Sequence, residues 1–149
     1  MFKILLATDG STYALRAAGY TAKLASKIGD AEVTVLNVKD LSIPAVGLMG
    51  EPGMEILPDS AVMQEGINNA STVALGNTRK VLEDAGIRPI VRAEWGKPAD
   101  TICKVAKEDG FDLVIMGSSG MGQVSGILLG SVSDRVTHRS AVPVLIVRH

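Results

Sequence analysis

Aromatic residues are almost missing from this 149-residue sequence. Two phenylalanines, two tyrosines and one tryptophan make up 3% of a chain that is 46% hydrophobic. A core must therefore be built from Val, Ile, Leu and Ala, which favours a packed helix-and-sheet interior over an aromatic-rich β-sandwich. A single cysteine, Cys103, rules out a disulfide within the chain and points to a reducing compartment. Neither sign of charge dominates: 15 Lys and Arg stand against 16 Asp and Glu, a net charge of −1. No stretch concentrates the basic residues, so the electrostatic footprint of a nucleic-acid partner is absent. Nor does any apolar run approach the roughly 18 residues of a membrane span. The opening Met1-Phe2-Lys3-Ile4-Leu5-Leu6 has the look of a signal peptide, but Asp9 interrupts it early and no convincing small-residue cleavage site follows. The expectation is a cytoplasmic protein with no nucleic-acid and no membrane partner, its residues 1–149 forming one domain long enough to bury a sizeable core.

The apolar residues that are present alternate between two periods. Lys3-Ile4-Leu5-Leu6-Ala7-Thr8 reads as a strand closed by the turn Asp9-Gly10, with Ser11 as a helix N-cap. Ala14, Ala17, Ala18, Thr21, Leu24, Ala25 and Ile28 then recur at helical spacing, and Gly29 stops that helix. Val33 to Val38 is a second strand, rich in β-branched residues. Lys39 to Pro58 holds three prolines, three glycines and two methionines without a period; it is either a ligand lid or a variable surface insertion. Asp59 or Ser60 caps a long second helix with inner positions Met63, Ile67, Ala70, Ala74, Thr78, Val81 and Ala85. Gly66, Asn68, Asn69 and Gly76 weaken that helix, so bending or fraying is expected. Arg88 to Trp95 alternates as an edge strand, with Pro89 near its start. Pro98 begins a third helix, whose inner face is Ala99, Ile102, Cys103 and Ala106. Phe111 to Met116 is a strand covered on both faces, Ser131 to Arg139 a last helix, and Pro143 to Val147 a last strand.

The resulting order β-α-β-α-β-α-β-α-β is that of an α/β protein. Strands separated by helices form a parallel sheet through right-handed crossovers, with helices on both faces. Ligands of such sheets bind beyond the C-terminal strand ends, where the winding direction reverses. Thr8 and Asp9, Val38, and Gly117 stand at those ends.

Between the fourth strand and the last helix lies the richest glycine segment, Gly117 to Ser131. Its first glycines, Gly117, Gly120 and Gly122, read G-x-x-G-x-G. No Gly-Lys-Ser/Thr follows, so this is not a Walker A loop, and its place after the fourth strand is wrong for a Rossmann fingerprint. A glycine loop opening a helix presents bare N–H groups and a positive dipole end, which makes it an anion cradle for a nucleotide phosphate. The alternative is a mobile glycine loop with no ligand.

The spacing G-2x-G-9x-G-S, met by Gly117, Gly120, Gly130 and Ser131, is similar to the signature of the ATP-binding branch of the universal stress protein family. The resemblance runs along nearly the whole chain. It includes Lys3 to Ser11 as an opening strand and turn, Gly96-Lys97-Pro98-Ala99 at the third helix start, Leu129 to Ser133, and Pro143 to Val147. It implies a Rossmann-like fold of the adenine nucleotide alpha hydrolase-like kind, an open five-stranded parallel sheet in the order 3-2-1-4-5. It implies that Ala7, Thr8 and Asp9 line a nucleoside pocket, with Asp9 near the ribose or near a phosphate-bound metal ion. Val38 would meet the adenine edge through its backbone, and Met116 and Gly117 would pack along the sugar. Gly120, Gly130, Ser131, Val132 and Ser133 would hold the phosphates; a plain N-cap role for Ser131 is compatible with this. The implied cofactor is ATP, or AMP or ADP, with Mg2+ or Mn2+ bound through the phosphates. The implied partner is a second copy paired through Val144 to Val147, an edge too apolar to face water alone.

Ser119, Met121 and Gln123 stand where basic residues are frequent in that family. The loop thus leaves the phosphates to backbone dipoles and a metal ion, and makes AMP an alternative to ATP. No catalytic residue is expected. His138 lies about two turns into the last helix, the terminal His149 is read as solvated, Cys103 sits on an apolar helical face, and no cation is placed to stabilise a transferring phosphoryl group. The expected function is a nucleotide-binding stress-response regulator or sensor. The alternatives are a slow ATPase and a dimeric scaffold that binds no nucleotide.

Overall fold

The computed structural model describes residues 1–42, 61–119 and 129–148. Nine elements follow one another: β1 (Phe2–Ala7), α1 (Thr12–Ile28), β2 (Ala31–Lys39), α2 (Ala61–Asp84), β3 (Ile90–Trp95), α3 (Pro98–Glu108), β4 (Leu113–Gly117), α4 (Ser131–Arg139) and β5 (Val144–Val147). The strands form one sheet in the order β3-β2-β1-β4-β5, every pair parallel, as expected. Most of the 39–58 segment, the Asp59 or Ser60 cap, Gly120 to Leu128 and His149 lie outside the described residues. The readings of a lid, of that cap, and of Gly120, Met121 and Gln123 fall there.

Alternation along each strand divides the core into two layers. Ile4, Leu6, Val33, Val35 and Ile115 pack beneath α1 and α2, against Ala17, Ala18, Leu75 and Leu82. Leu5, Ala7, Leu36, Val114 and Met116 pack on the other face, against Ala99, Ile102 and Ala106 of α3 and Val136 of α4. Each inner strand is thus covered on both sides, which is why its sequence is apolar without a break.

The helices depart from expectation in detail. The buried arc of α1 is Ala14, Ala17, Ala18, Thr21, Ala22 and Ala25. Leu24 lies at the flank of that arc and Ile28 is exposed in the last turn, so Ala22 replaces them. In α3 the buried arc is Ala99, Ile102, Val105 and Ala106. It is centred between Ile102 and Ala106, which brings Val105 in and leaves Cys103 half-buried on the flank. Helix α2 runs for 24 residues across Gly66 and Gly76 without a break, since packing of Ile67, Ala74, Leu75, Thr78 and Leu82 outweighs the low propensity.

The turn after β1 is fastened by a chain of hydrogen bonds. Ser11 caps α1 as expected, its Oγ accepting from Ala14 N at 3.2 Å. The Gly10 N–H donates to Thr8 Oγ1 at 3.1 Å, and Thr8 Oγ1 lies 2.8 Å from Thr78 Oγ1. Thr78 Oγ1 in turn donates to Ala74 O at 2.8 Å. A hydroxyl has one proton, so Thr8 must be the donor to Thr78. Both threonines are buried, and the chain closes on itself because Gly10 rests against Ala74. A Cβ on Gly10 would stand 2.9 Å from both Ala74 Cα and Ala74 Cβ, and Gly10 has φ +78°, a conformation that favours glycine.

Thr78→Val keeps the shape of the side chain and orphans the Thr8 proton. It should lower the unfolding free energy in urea by about 1–3 kcal/mol. The Thr8→Val, Thr78→Val double variant should lose less than the sum of the two single changes. Strict additivity would show that the two hydroxyls do not act together.

Candidate functional site

Chain reversal in the sheet creates a cleft. From β1 the winding proceeds outward to β2 and β3; β4 then joins on the opposite side of β1, so β1 and β4 diverge at their C-terminal ends. A cavity of about 370 Å³ opens there. The size suits a small organic ligand. Ala7, Thr8, Asp9, Val38, Met116, Gly117, Gly130, Ser131, Val132 and Ser133 all line it, so every described residue that the resemblance assigned to a nucleotide borders one space. Gly120 lies outside the described residues.

One end of the cavity is the start of α4. Gly130 is the N-cap, with φ −62° and no side chain to satisfy the first turn. Ser131 is therefore the first helical residue, and the N-cap role offered for it passes to Gly130. The first described backbone bond of the helix is Asp134 N to Gly130 O at 2.9 Å. The N–H groups of Ser131, Val132 and Ser133 precede it and, among the described residues, are the orphan donors of a helix start, backed by the positive end of the dipole. The two serine hydroxyls are not equivalent. Ser133 Oγ is buried and donates to Gly117 O at 2.8 Å, so its proton is committed to holding α4 against the end of β4. What Ser133 has for a ligand is its backbone N–H.

Gly117 serves packing as well. A Cβ there would lie 2.8 Å from the Tyr13 carbonyl carbon and oxygen, so the residue must be glycine for α1 to approach β4. Gly130 is anchored from the same side, its N–H donating to Ser118 O at 2.8 Å.

The other end is formed by β2 and α2. Leu36 O accepts from Thr8 N at 2.9 Å, and Lys39 O accepts from Gly96 N at 3.0 Å. In a parallel strand successive residues turn their backbone groups to opposite neighbours. Val38 therefore turns its N–H and C=O the way Leu36 does, towards β1, which has already ended. Asn37, also buried, ties the two strand ends together by donating from Nδ2 to Thr8 O at 2.8 Å. Ile67, Ala70 and Ser71 of α2 complete this wall.

Charge is sparse in the cavity. Among its described lining residues Lys39 is the only cation, and Nζ is drawn away, 4.5 Å over the Trp95 ring and 3.2 Å from Asn68 Oδ1. Asp9 and Asp40 supply the carboxylates. Asp9 Oδ1 accepts from Ser11 N at 2.9 Å and Asp40 Oδ1 from Ser42 N at 2.8 Å.

The sequence reading did not single out Asn37, Ser71 or Ser119 as cavity residues. Asn37 had a signal, an amide interrupting a β-branched strand just before its end. Ser71 had none, because the helical spacing marks the inner face but not which turn of it overhangs a cleft. Ser119 was noted only for lacking charge, yet it is buried and lines the cavity. His138, Cys103 and Trp95 are not among the lining residues. His138 is exposed, with Nδ1 2.8 Å from Asp134 O. Burial pushes the Cys103 thiol up, Asp100 adds to this and Arg139 opposes it, which makes a poor nucleophile.

The family model of the universal stress protein family matches residues 1–148. Universal stress protein MJ0531 of Methanocaldococcus jannaschii is 36% identical over 146 residues, covering 98% of this chain and 81% of that protein. Universal stress protein YxiE of Bacillus subtilis is 30% identical over 148 residues, with 98% of both chains covered. Among solved structures, that of the hypothetical protein MJ0577 superposes with a TM-score of 0.72 at 30% identity, over 99% of this chain and 96% of the other. A universal stress protein crystallised in complex with cAMP superposes at 0.64 and 26% identity, over 99% and 96%. Sheet order, spaced glycines and whole-length relatives agree, and the chain belongs to the universal stress protein family.

Proposed function

We propose that residues 1–149 form one universal stress protein domain that binds an adenine nucleotide in the cavity and acts as a regulator or sensor in the stress response. The observation that carries this reading is the pairing of two sets of backbone groups across one cavity. Three orphan N–H groups open α4 beside β4, and the Val38 N–H and C=O stand at the end of β2. Those strands are two places apart in the sheet, roughly 10 Å at the usual spacing. That leaves room for a phosphate at one end and a flat ring with one donor and one acceptor at the other. Met116, Leu36 and Ile102 supply apolar surface between them. A relative solved with cAMP supports the same ligand class.

The charge pattern bears on the phosphate count. With no described cation at the α4 end, a single phosphate is matched by helix N–H groups alone. ATP needs a divalent ion to offset its charge. Among the described residues no group of three or more His, Cys, Asp or Glu could hold a metal. An ion would arrive on the phosphates, with Asp9 as the nearby carboxylate that orients it. Mg2+ or Mn2+ fits that donor set only in the company of the nucleotide. The same sparseness favours holding the ligand over cleaving it, since no described lining residue is a histidine and Lys39 is turned to Trp95.

A second copy of the chain is the proposed partner at β5. Its four residues, Val144 to Val147, form an edge of the sheet and stay only half-buried in one protomer. An apolar edge of this kind is covered when an identical strand pairs with it. Among the described residues no helix is long and apolar enough to cross a membrane.

Purified protein, denatured and examined by mass spectrometry, should release an adenine nucleotide, and added AMP or Mg-ATP should raise the melting temperature. The Gly130 backbone is one that any residue adopts, so Gly130→Val should leave the fold intact and abolish binding by filling the space before the α4 N–H groups. Normal binding by that variant would remove the cradle from the reading. In light scattering the protein should be a dimer, and Leu145→Lys a monomer with unchanged far-UV circular dichroism. A dimer that survives this change does not use β5.

A further inference from the structure

Ser71 is the buried side chain whose hydrogen bonding the fold leaves unfinished. It sits on α2, 5% exposed, and lines the cavity. Among the described residues its Oγ is the one buried side-chain nitrogen or oxygen without a hydrogen-bond partner. A buried hydroxyl left in this state is destabilising.

A remedy lay within reach. Hydroxyls in helices commonly donate to the carbonyl four residues back. Thr21 does so to Ala17 O at 2.8 Å, Thr78 to Ala74 O at 2.8 Å, and Thr72, the very next residue, to Asn68 O at 2.9 Å. The corresponding acceptor for Ser71 is Ile67 O, and Ser71 does not use it. Its neighbours on the wall, Ile67 and Ala70, bring no polar side chain. A partner therefore has to come from the cavity.

We propose that the Ser71 hydroxyl is a ligand-binding group that hydrogen-bonds an uncharged polar atom of the bound nucleoside, on its base or its ribose. The inference rests on the nucleotide reading and deepens it. Ser71 belongs to the β2 and α2 end of the cavity, on the far side of β1 from the α4 N–H groups, so it meets the part of the ligand that carries no phosphate. It thereby adds a side-chain hydrogen bond at an end where Val38 offers backbone groups alone. A site that hydrogen-bonds a ligand group discriminates against analogues lacking it, because its own buried group is then left unpaired.

Titration calorimetry of wild type and Ser71→Ala against adenosine, AMP and Mg-ATP tests this. The variant should bind all three weaker by the same factor, about five- to tenfold. If the bond is to the ribose, 2′-deoxy-AMP or 3′-deoxy-AMP should lose the difference between the two proteins; if it is to the base, both analogues should keep it. Without ligand, Ser71→Ala should melt no lower than wild type, and up to about 3 °C higher, because an unpaired hydroxyl has been removed. Equal affinities in the two proteins would overturn the assignment while leaving the nucleotide site standing. A loss that grows from adenosine to AMP to ATP would overturn it too, by moving the effect to the phosphates. A lower melting temperature of the free variant would make the hydroxyl structural. Wild type that binds none of the ligands would remove the nucleotide reading itself, and this inference with it.

Discussion

The end of β1 is the fixed point of this molecule, and Thr8 is what fixes it. Its backbone N–H reaches Leu36 O and its carbonyl receives the Asn37 side chain, so the tip of β2 is locked to it. Its hydroxyl receives Gly10 N–H and passes its own proton to Thr78, so α2 is locked as well. None of these bonds is long, and the side chains that make them are buried, where an unpaired partner would be destabilising. The cavity walls are therefore referenced to one residue. A shift of α2 relative to the sheet would break the Thr8–Thr78 bond and drive Ala74 away from Gly10 together.

The α4 end is fixed by a parallel device with different atoms. Gly117 lacks a Cβ, so α1 closes on β4, and its carbonyl then holds the Ser133 hydroxyl. Gly130 hangs from Ser118 O. Two members of the spaced-glycine pattern, Gly117 and Gly130, thus have duties in packing and in the placement of a helix start. Gly117 is legible in a sequence because a backbone that must approach another backbone tolerates only glycine. At Gly117 the spacing records a close approach, whereas Gly130 has an ordinary extended backbone and marks where α4 begins.

The strand positions and the cavity residues at strand ends, Thr8, Asp9, Val38 and Gly117, were within reach of the residues for a physical reason, while the sheet order and the other expected lining residues came from the family resemblance. Strand ends in a doubly wound sheet are fixed by where apolar runs stop, and Thr8, Val38 and Gly117 each stand at such a stop. Less was legible where the third dimension chooses among equivalent positions. Val105 and Cys103 are both apolar and both near the inner arc of α3; only the tilt of the helix against Val114 and Leu36 decides between them. Ser133 and Ser131 are alike in sequence, yet one hydroxyl is committed to Gly117 and the other residue opens the helix. Ser71 was invisible because nothing in the spacing of α2 distinguishes the turn over the sheet from the turn over the cleft.

A cavity assembled in this way has a consequence for its chemistry. Among the described residues, the N–H donors at the start of α4 are backbone groups, which cannot titrate or change rotamer, and whose placement is set by the same bonds that hold the fold together. Such donors need no reorganisation to receive an anion, and they supply neither a proton nor a mobile positive charge to a reaction. The one cation among the described lining residues, Lys39, is spent on Trp95 and Asn68. The carboxylates of the cavity, Asp9 and Asp40, each follow the end of a strand, just past β1 and β2, so what charge the cleft has stands at its rim.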